Sequence, residues 1–147
     1  MEKGIKIAIA GDHAGYELKT YLIEYLSHNG YEVKDFGTDS EESVDYPDFA
    51  HPLAKSVSKG ENDFGITICG SGNGISMVVN KYPEIRAALC WNKEISKLAR
   101  THNDANVCSL PARFLTKEEA RDIVEIFLST DFEGGRHQRR IDKIPVQ

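Results

Sequence analysis

Three cysteines in 147 residues, Cys69, Cys90 and Cys108, are too few and too scattered for a disulfide framework. None belongs to a Cys-x-x-Cys pair, so the sequence offers no zinc site of that kind. Unpaired thiols make a reducing, cytoplasmic setting the expected one. No stretch of about 18 apolar residues occurs, so no membrane-spanning helix is expected. The opening MEKGIKIAIAGDH lacks the longer apolar stretch and small-residue cleavage site of a signal peptide. A strong charge of either sign is also missing. The net charge of −5 argues against general binding to nucleic acid or to an anionic membrane. Linkers, internal repeats and low-complexity segments are lacking as well.

What is present fits one domain over residues 1–147, long enough to bury a core without disulfides or metals. The charge is uneven. Residues 134–147 hold Arg136, Arg139, Arg140 and Lys143 against one acid, Asp142, so this tail is +3 and the remaining 133 residues are −8. A basic tail on an acidic body suggests an anion site or a contact between like chains.

Short β-branched runs alternate with longer helical stretches. Strands are expected at Lys6–Ala10, Glu32–Phe36, Phe64–Cys69, Arg86–Cys90 and Val107–Leu110. Helices are expected at Gly15–His28, Tyr46–Ser58, Gly74–Asn80, Asn92–Thr101 and Thr116–Ser129, with a short one after Gly134–Gly135. Asn29–Gly30 suits a helix end, and Thr116 with Glu119 forms a capping box. Pro52 leaves the start of the helix near Tyr46 open. Repeated strand–helix alternation means a parallel sheet with helices on both faces.

Ligands of such sheets bind beyond the carboxyl ends of the strands. Three segments are expected at that edge or beside it: Gly11–Gly15, Cys69–Gly74 and His102–Asn106. In the second, glycines 70, 72 and 74 alternate just before a helix. Glycine lets backbone approach a ligand closely, and a helix N-terminus offers unpaired N–H groups. The loop is no dinucleotide fingerprint, because position 75 is Ile and the loop follows the third strand. It lacks the Gly-Lys-Ser/Thr of a Walker loop, and a phosphatase cradle would need Arg at position 75. An oxyanion cradle fits better. A thiol at Cys69 would there be available as a base or nucleophile; a buried core cysteine is the competing reading. Cys90 and Cys108 lie in apolar strands and read as core. Asp12 is either catalytic or a helix cap. His13 suits an anion or hydroxyl. His102 ends a helix within an unusually polar connection. Arg136 and Arg140 share a helix face and suit a phosphate dianion, or form a solvated basic face.

Together the segments GDHAGYELK (11–19), DYP (45–47), CGSGNGIS (69–76), NK (80–81), HND (102–104), NV (106–107) and GGRHQRRI (134–141) resemble the type B ribose-5-phosphate isomerases. That family is related to the allose- and galactose-6-phosphate isomerases. The resemblance implies a three-layer α/β/α sandwich with a five-stranded parallel sheet, Rossmann-like in its layering. It implies a dimer or tetramer with sites between subunits, and neither cofactor nor metal.

The residue roles it implies are these. Cys69 is the base moving a proton between C2 and C1, and Ser71, where the family often has Thr, assists the hydroxyl protons. N–H groups from Gly70, Gly72, Asn73 and Gly74 hold the enediolate oxygen. Asp12 and His102 assist ring opening, Asn103 binds the sugar, and Tyr46 lines the pocket. His13, Arg113, Arg136 and Arg140 bind the phosphate, some from a partner. Some members carry a Glu base directly after the glycine loop; Ile75 stands there in this chain.

Two other readings follow from the same residues. One is an isomerase of a six-carbon sugar phosphate. The other is a non-catalytic domain binding phosphorylated metabolites.

Overall fold

A computed structural model describes residues 4–147. Its strands are β1 (Lys6–Gly11), β2 (Glu32–Asp35), β3 (Phe64–Cys69), β4 (Ala87–Leu89) and β5 (Val107–Pro111). Its α-helices are α1 (Tyr16–His28), α2 (Tyr46–Ser58), α3 (Asn73–Val79), α4 (Lys93–Thr101), α5 (Lys117–Ser129) and α6 (Arg136–Ile141). All strand pairs are parallel, in the order β2-β1-β3-β5-β4.

The alternation within β1 shows why both faces are covered. Ile7 and Ile9 point into a core shared with Leu18, Leu22 and Leu26 of α1 and Ile123, Val124 and Phe127 of α5. Ala8 and Ala10 point the other way, against Leu53 and Val57 of α2 and Ile75 and Val79 of α3. Apolar residues at every position of a strand are what two covered faces require. The result is the three-layer sandwich, with α1, α4 and α5 on one face and α2 and α3 on the other.

Two local features bear on the helix ends: one is an expected cap, and the other is a helix start that Pro52 left open. The capping box forms in both directions: Thr116 Oγ1 accepts from Glu119 N–H at 3.0 Å, and Glu119 Oε1 accepts from Thr116 N–H at 2.8 Å. Helix α2 begins at Tyr46, with Pro47 in its first turn, and runs through Pro52. Pro52 and the residue four before it, Asp48, are both exposed. The carbonyl that loses its intrahelical partner therefore has water beside it.

Candidate active site

The sheet has two edges, and the implied site residues divide between them. At the carboxyl edge, strand register does the positioning. Gly11 pairs with Ile68 and Cys69 with Pro111, so the segments following β1, β3 and β5 emerge at one level. Asp12 N–H donates to Ile68 O at 3.2 Å, and Arg113 N–H donates to Gly70 O at 3.0 Å. The loop 69–74 is thereby tied on both sides.

Cys69 is buried at the end of β3, and the Gly72 N–H donates to its Sγ at 3.2 Å. Gly72 has φ +77°, a conformation that glycine adopts without strain. Ser71 is exposed, and its Oγ accepts from Asn73 N–H at 3.2 Å. Tyr46 lies against Gly74 so closely that a Cβ there would stand 2.5 Å from Cζ and 2.6 Å from Oη. The glycine at 74 is thus what lets the tyrosine reach the loop.

Asp12 does the work of a cap. Its Oδ1 accepts from Ala14 N–H at 3.0 Å and from Gly15 N–H at 3.3 Å, opening the short turn His13–Gly15. Its Oδ2 takes no part in that cap. His13 accepts at Nδ1 from Val44 N–H at 3.2 Å, so Nε2 is the nitrogen left to meet a ligand. Buried Lys19 holds Asp35 with two contacts of 2.9 Å, and Asp35 Oδ1 accepts from Gly37 N–H. Gly37 in turn exchanges backbone bonds with Gly11 through its own carbonyl and the Thr38 N–H. This chain of bonds steadies the backbone just before Asp12. Lys19 closes the segment GDHAGYELK, but its role with Asp35 has no sequence signal, because only the fold shows that they meet.

The segment 102–106 departs from expectation. It precedes β5, and all strands are parallel, so it lies at the amino edge of the sheet. From Val107, level with Gly65, to Pro111, level with Cys69, β5 alone spans about 13 Å. His102 and Asn103 are therefore apart from Cys69 of the same chain. Their loop is held by arginines that the sequence reading did not single out. Arg86 Nε donates to Asn103 O at 2.9 Å and its NH2 to Asp104 O at 2.9 Å. Arg100 NH1 donates to Asp104 Oδ1 at 2.9 Å and to Ala105 O at 2.6 Å, supporting the left-handed φ of +46° at Asp104. Asn106 is a framework residue: its Oδ1 accepts from Arg86 N–H and its Nδ2 donates to Glu84 O.

Helix α6 belongs to this second group. Its His137 stacks on His102, with ring centroids 4.2 Å apart. Arg136 and Arg140 are exposed, while Ile141 is buried and fastens the helix down. One edge thus carries Asp12, His13, Tyr46, Cys69, the glycine loop and Arg113. The other carries His102, Asn103, Arg136 and Arg140.

Comparisons with known proteins agree with this architecture. The model of the ribose/galactose isomerase family matches residues 7–144. Ribose-5-phosphate isomerase B of Escherichia coli is 45% identical over 139 residues, covering 95% of this chain and 93% of that protein. The ribose 5-phosphate isomerase of Thermotoga maritima superposes with a TM-score of 0.94 at 54% identity, covering 96% of this chain and 97% of the other. The Mycoplasma genitalium ribose-5-phosphate isomerase B, solved with bound ribulose-5-phosphate, gives a TM-score of 0.93 at 45% identity, covering 97% and 95%. With the match spanning nearly the whole chain, this protein belongs to the ribose/galactose isomerase family of enzymes.

Proposed function

We propose that this protein interconverts D-ribose 5-phosphate and D-ribulose 5-phosphate, with Cys69 as the base. The observation carrying this reading is the Gly72 N–H on Cys69 Sγ, at the mouth of a glycine loop. That contact sets the Cys69 sulfur beside backbone donors that can hold an oxyanion.

The reaction runs as follows. Asp12, through the oxygen its cap leaves free, and His102 move the protons that open the furanose ring. The Cys69 thiolate removes the C2 proton of the open aldose. The negative charge passes to the carbonyl oxygen, where N–H groups of Gly70, Gly72, Asn73 and Gly74 meet the enediolate. Ser71 relays a proton between the two oxygens, and Cys69 returns its proton to C1. Tyr46 walls the pocket and Asn103 binds the sugar. The phosphate, held by His13, Arg113, Arg136 and Arg140, orients the reacting carbons by binding a part of the substrate that does not react.

The two edges of the sheet are too far apart for one sugar to touch both within one chain. The reading therefore includes a homo-oligomer in which one copy supplies Cys69 and its loop and another supplies His102, Asn103, Arg136 and Arg140. Three unpaired thiols, Cys69, Cys90 and Cys108, fit a cytoplasmic enzyme.

Replacing the base tests the chemistry. Cys69→Ala should lower kcat by about 10²–10⁴-fold, the usual worth of a general base, and leave sugar-phosphate binding largely intact. Unchanged turnover rejects Cys69 as base. Side-by-side kcat/KM values on ribose, allose and galactose phosphates should rank the five-carbon sugar first; a six-carbon sugar ranking higher rejects the substrate.

A further inference from the structure

The imidazole of His102 is braced by groups that have no part in the scheme above. It lies on the ring of His137, with centroids 4.2 Å apart and planes 16° from parallel. His137 is 7% exposed, and its Nε2 stands 3.4 Å from Oε1 of Glu133. Glu133 is tied to the end of α4, because its N–H donates to Thr101 O at 3.1 Å. The brace thus joins the last turn of α4 to α6.

Donor atoms of His102, Glu133 and His137 lie within 4.8 Å of one another, a spacing that raises the question of a metal. The stack answers it. A metal binds imidazole in the plane of the ring, at about 2.0–2.1 Å from nitrogen. Two nearly parallel rings direct their lone pairs along separate planes, so an ion seated in one plane misses the other. The arrangement serves to hold a ring, not an ion.

We infer that His137, backed by Glu133, is a positioning residue that fixes the ring plane of His102 for its work on the furanose. This rests on the proposed isomerase reaction and on the ring-opening role of His102 within it. A half-buried histidine at a helix end otherwise has two freely rotating bonds. The flat, buried surface of His137 removes most of those orientations before substrate arrives. Misplacing a reacting group by about 1 Å costs about 10²-fold in rate.

The two stages of the reaction are separable. D-Ribose 5-phosphate is mostly a closed ring. D-Ribulose 5-phosphate, with its C5 oxygen phosphorylated, is open-chain. Exchange of its C1 proton with D2O therefore needs the base and the oxyanion loop but no ring opening. In the full-length protein, His137→Ala should lower kcat for ribose 5-phosphate by about 10²-fold with little change in KM, while the exchange rate falls far less. His137→Phe keeps a flat ring to stack against and should recover most of the loss.

Equal losses in both assays, no loss in either, or a Phe variant as poor as the Ala variant each overturn the inference. His102→Asn, run in parallel, separates this inference from the reading beneath it. If His102→Asn splits the two assays and His137→Ala does not, the inference alone falls. If His102→Asn fails to split them, its ring-opening role falls and takes the inference with it. A wild-type protein that neither converts ribose 5-phosphate nor exchanges the C1 proton refutes the isomerase reading itself.

Discussion

Replacing Gly72 by alanine perturbs the fold and the chemistry at a single atom. Gly72 caps α3 with φ +77°, where an L side chain costs about 1–2 kcal/mol. The new Cβ would stand 2.5 Å from Leu89 Cδ1, and 3.1 and 3.2 Å from the carbonyl carbon and oxygen of Leu110. The leucine methyl can turn aside. The backbone of Leu110 cannot, because it belongs to β5 between two neighbouring strands. Overpacking against fixed atoms adds about 1–3 kcal/mol. The combined cost is at least about 2 kcal/mol. For a chain near this length each kcal/mol lowers Tm by about 3–4 °C, so the variant should melt at least about 6 °C below wild type.

Thermal unfolding followed by circular dichroism reads this, at one fixed protein concentration because an oligomer's Tm depends on it. In a Leu89→Ala background only the side-chain clash is relieved, so Gly72→Ala should still lower Tm there. Turnover measured well below the melting temperature should also fall, because the Gly72 N–H that meets Cys69 Sγ is displaced. A Gly72→Ala protein melting within about 2 °C of wild type would refute the reasoning.

Other consequences concern single side chains. Arg136→Ala should mainly raise KM for the sugar phosphate, since an exposed guanidinium that binds a non-reacting phosphate contributes equally to substrate and transition state; an unchanged KM removes it from the phosphate site. Burial, with a hydrogen bond that Cys108 donates to Cys90, pushes the Cys108 thiol well above its usual value. At neutral pH, iodoacetamide should therefore modify Cys69 first in the native protein, with activity lost in step. Mass spectrometry after partial inactivation checks it, and a label found first on Cys90 or Cys108 counts against it.

Much of the fold was legible along the chain because its signals are local. The nearly continuous apolar run of β3, the Thr116–Glu119 capping box and the Asn29–Gly30 end of α1 each depend on residues a few positions apart. Pro52 was harder, because its cost depends on whether the opposed carbonyl faces water, which only packing decides. The carboxyl-edge half of the site was legible for a topological reason: loops that follow parallel strands must gather there. The same rule misplaced His102 and Asn103. They precede β5 and so lie at the other edge, and reading one chain gives no view of what a second copy brings to it. His137 lies within the segment GGRHQRRI and Glu133 just before it, yet neither spacing nor motif pairs them with His102. Their meeting with His102 depends on how α6 folds back against the end of α4.

The central claim is that one site takes Cys69 from one copy and His102 from another. Subunit complementation tests it most directly. Cys69→Ala and His102→Asn proteins, each inactive alone, are dissociated, mixed in equal amounts and reassociated. Random pairing in a dimer gives about one quarter of sites with both native residues, so the mixture should regain about one quarter of wild-type turnover of ribose 5-phosphate. A mixture that exchanges subunits and stays as inactive as its components would contradict the account.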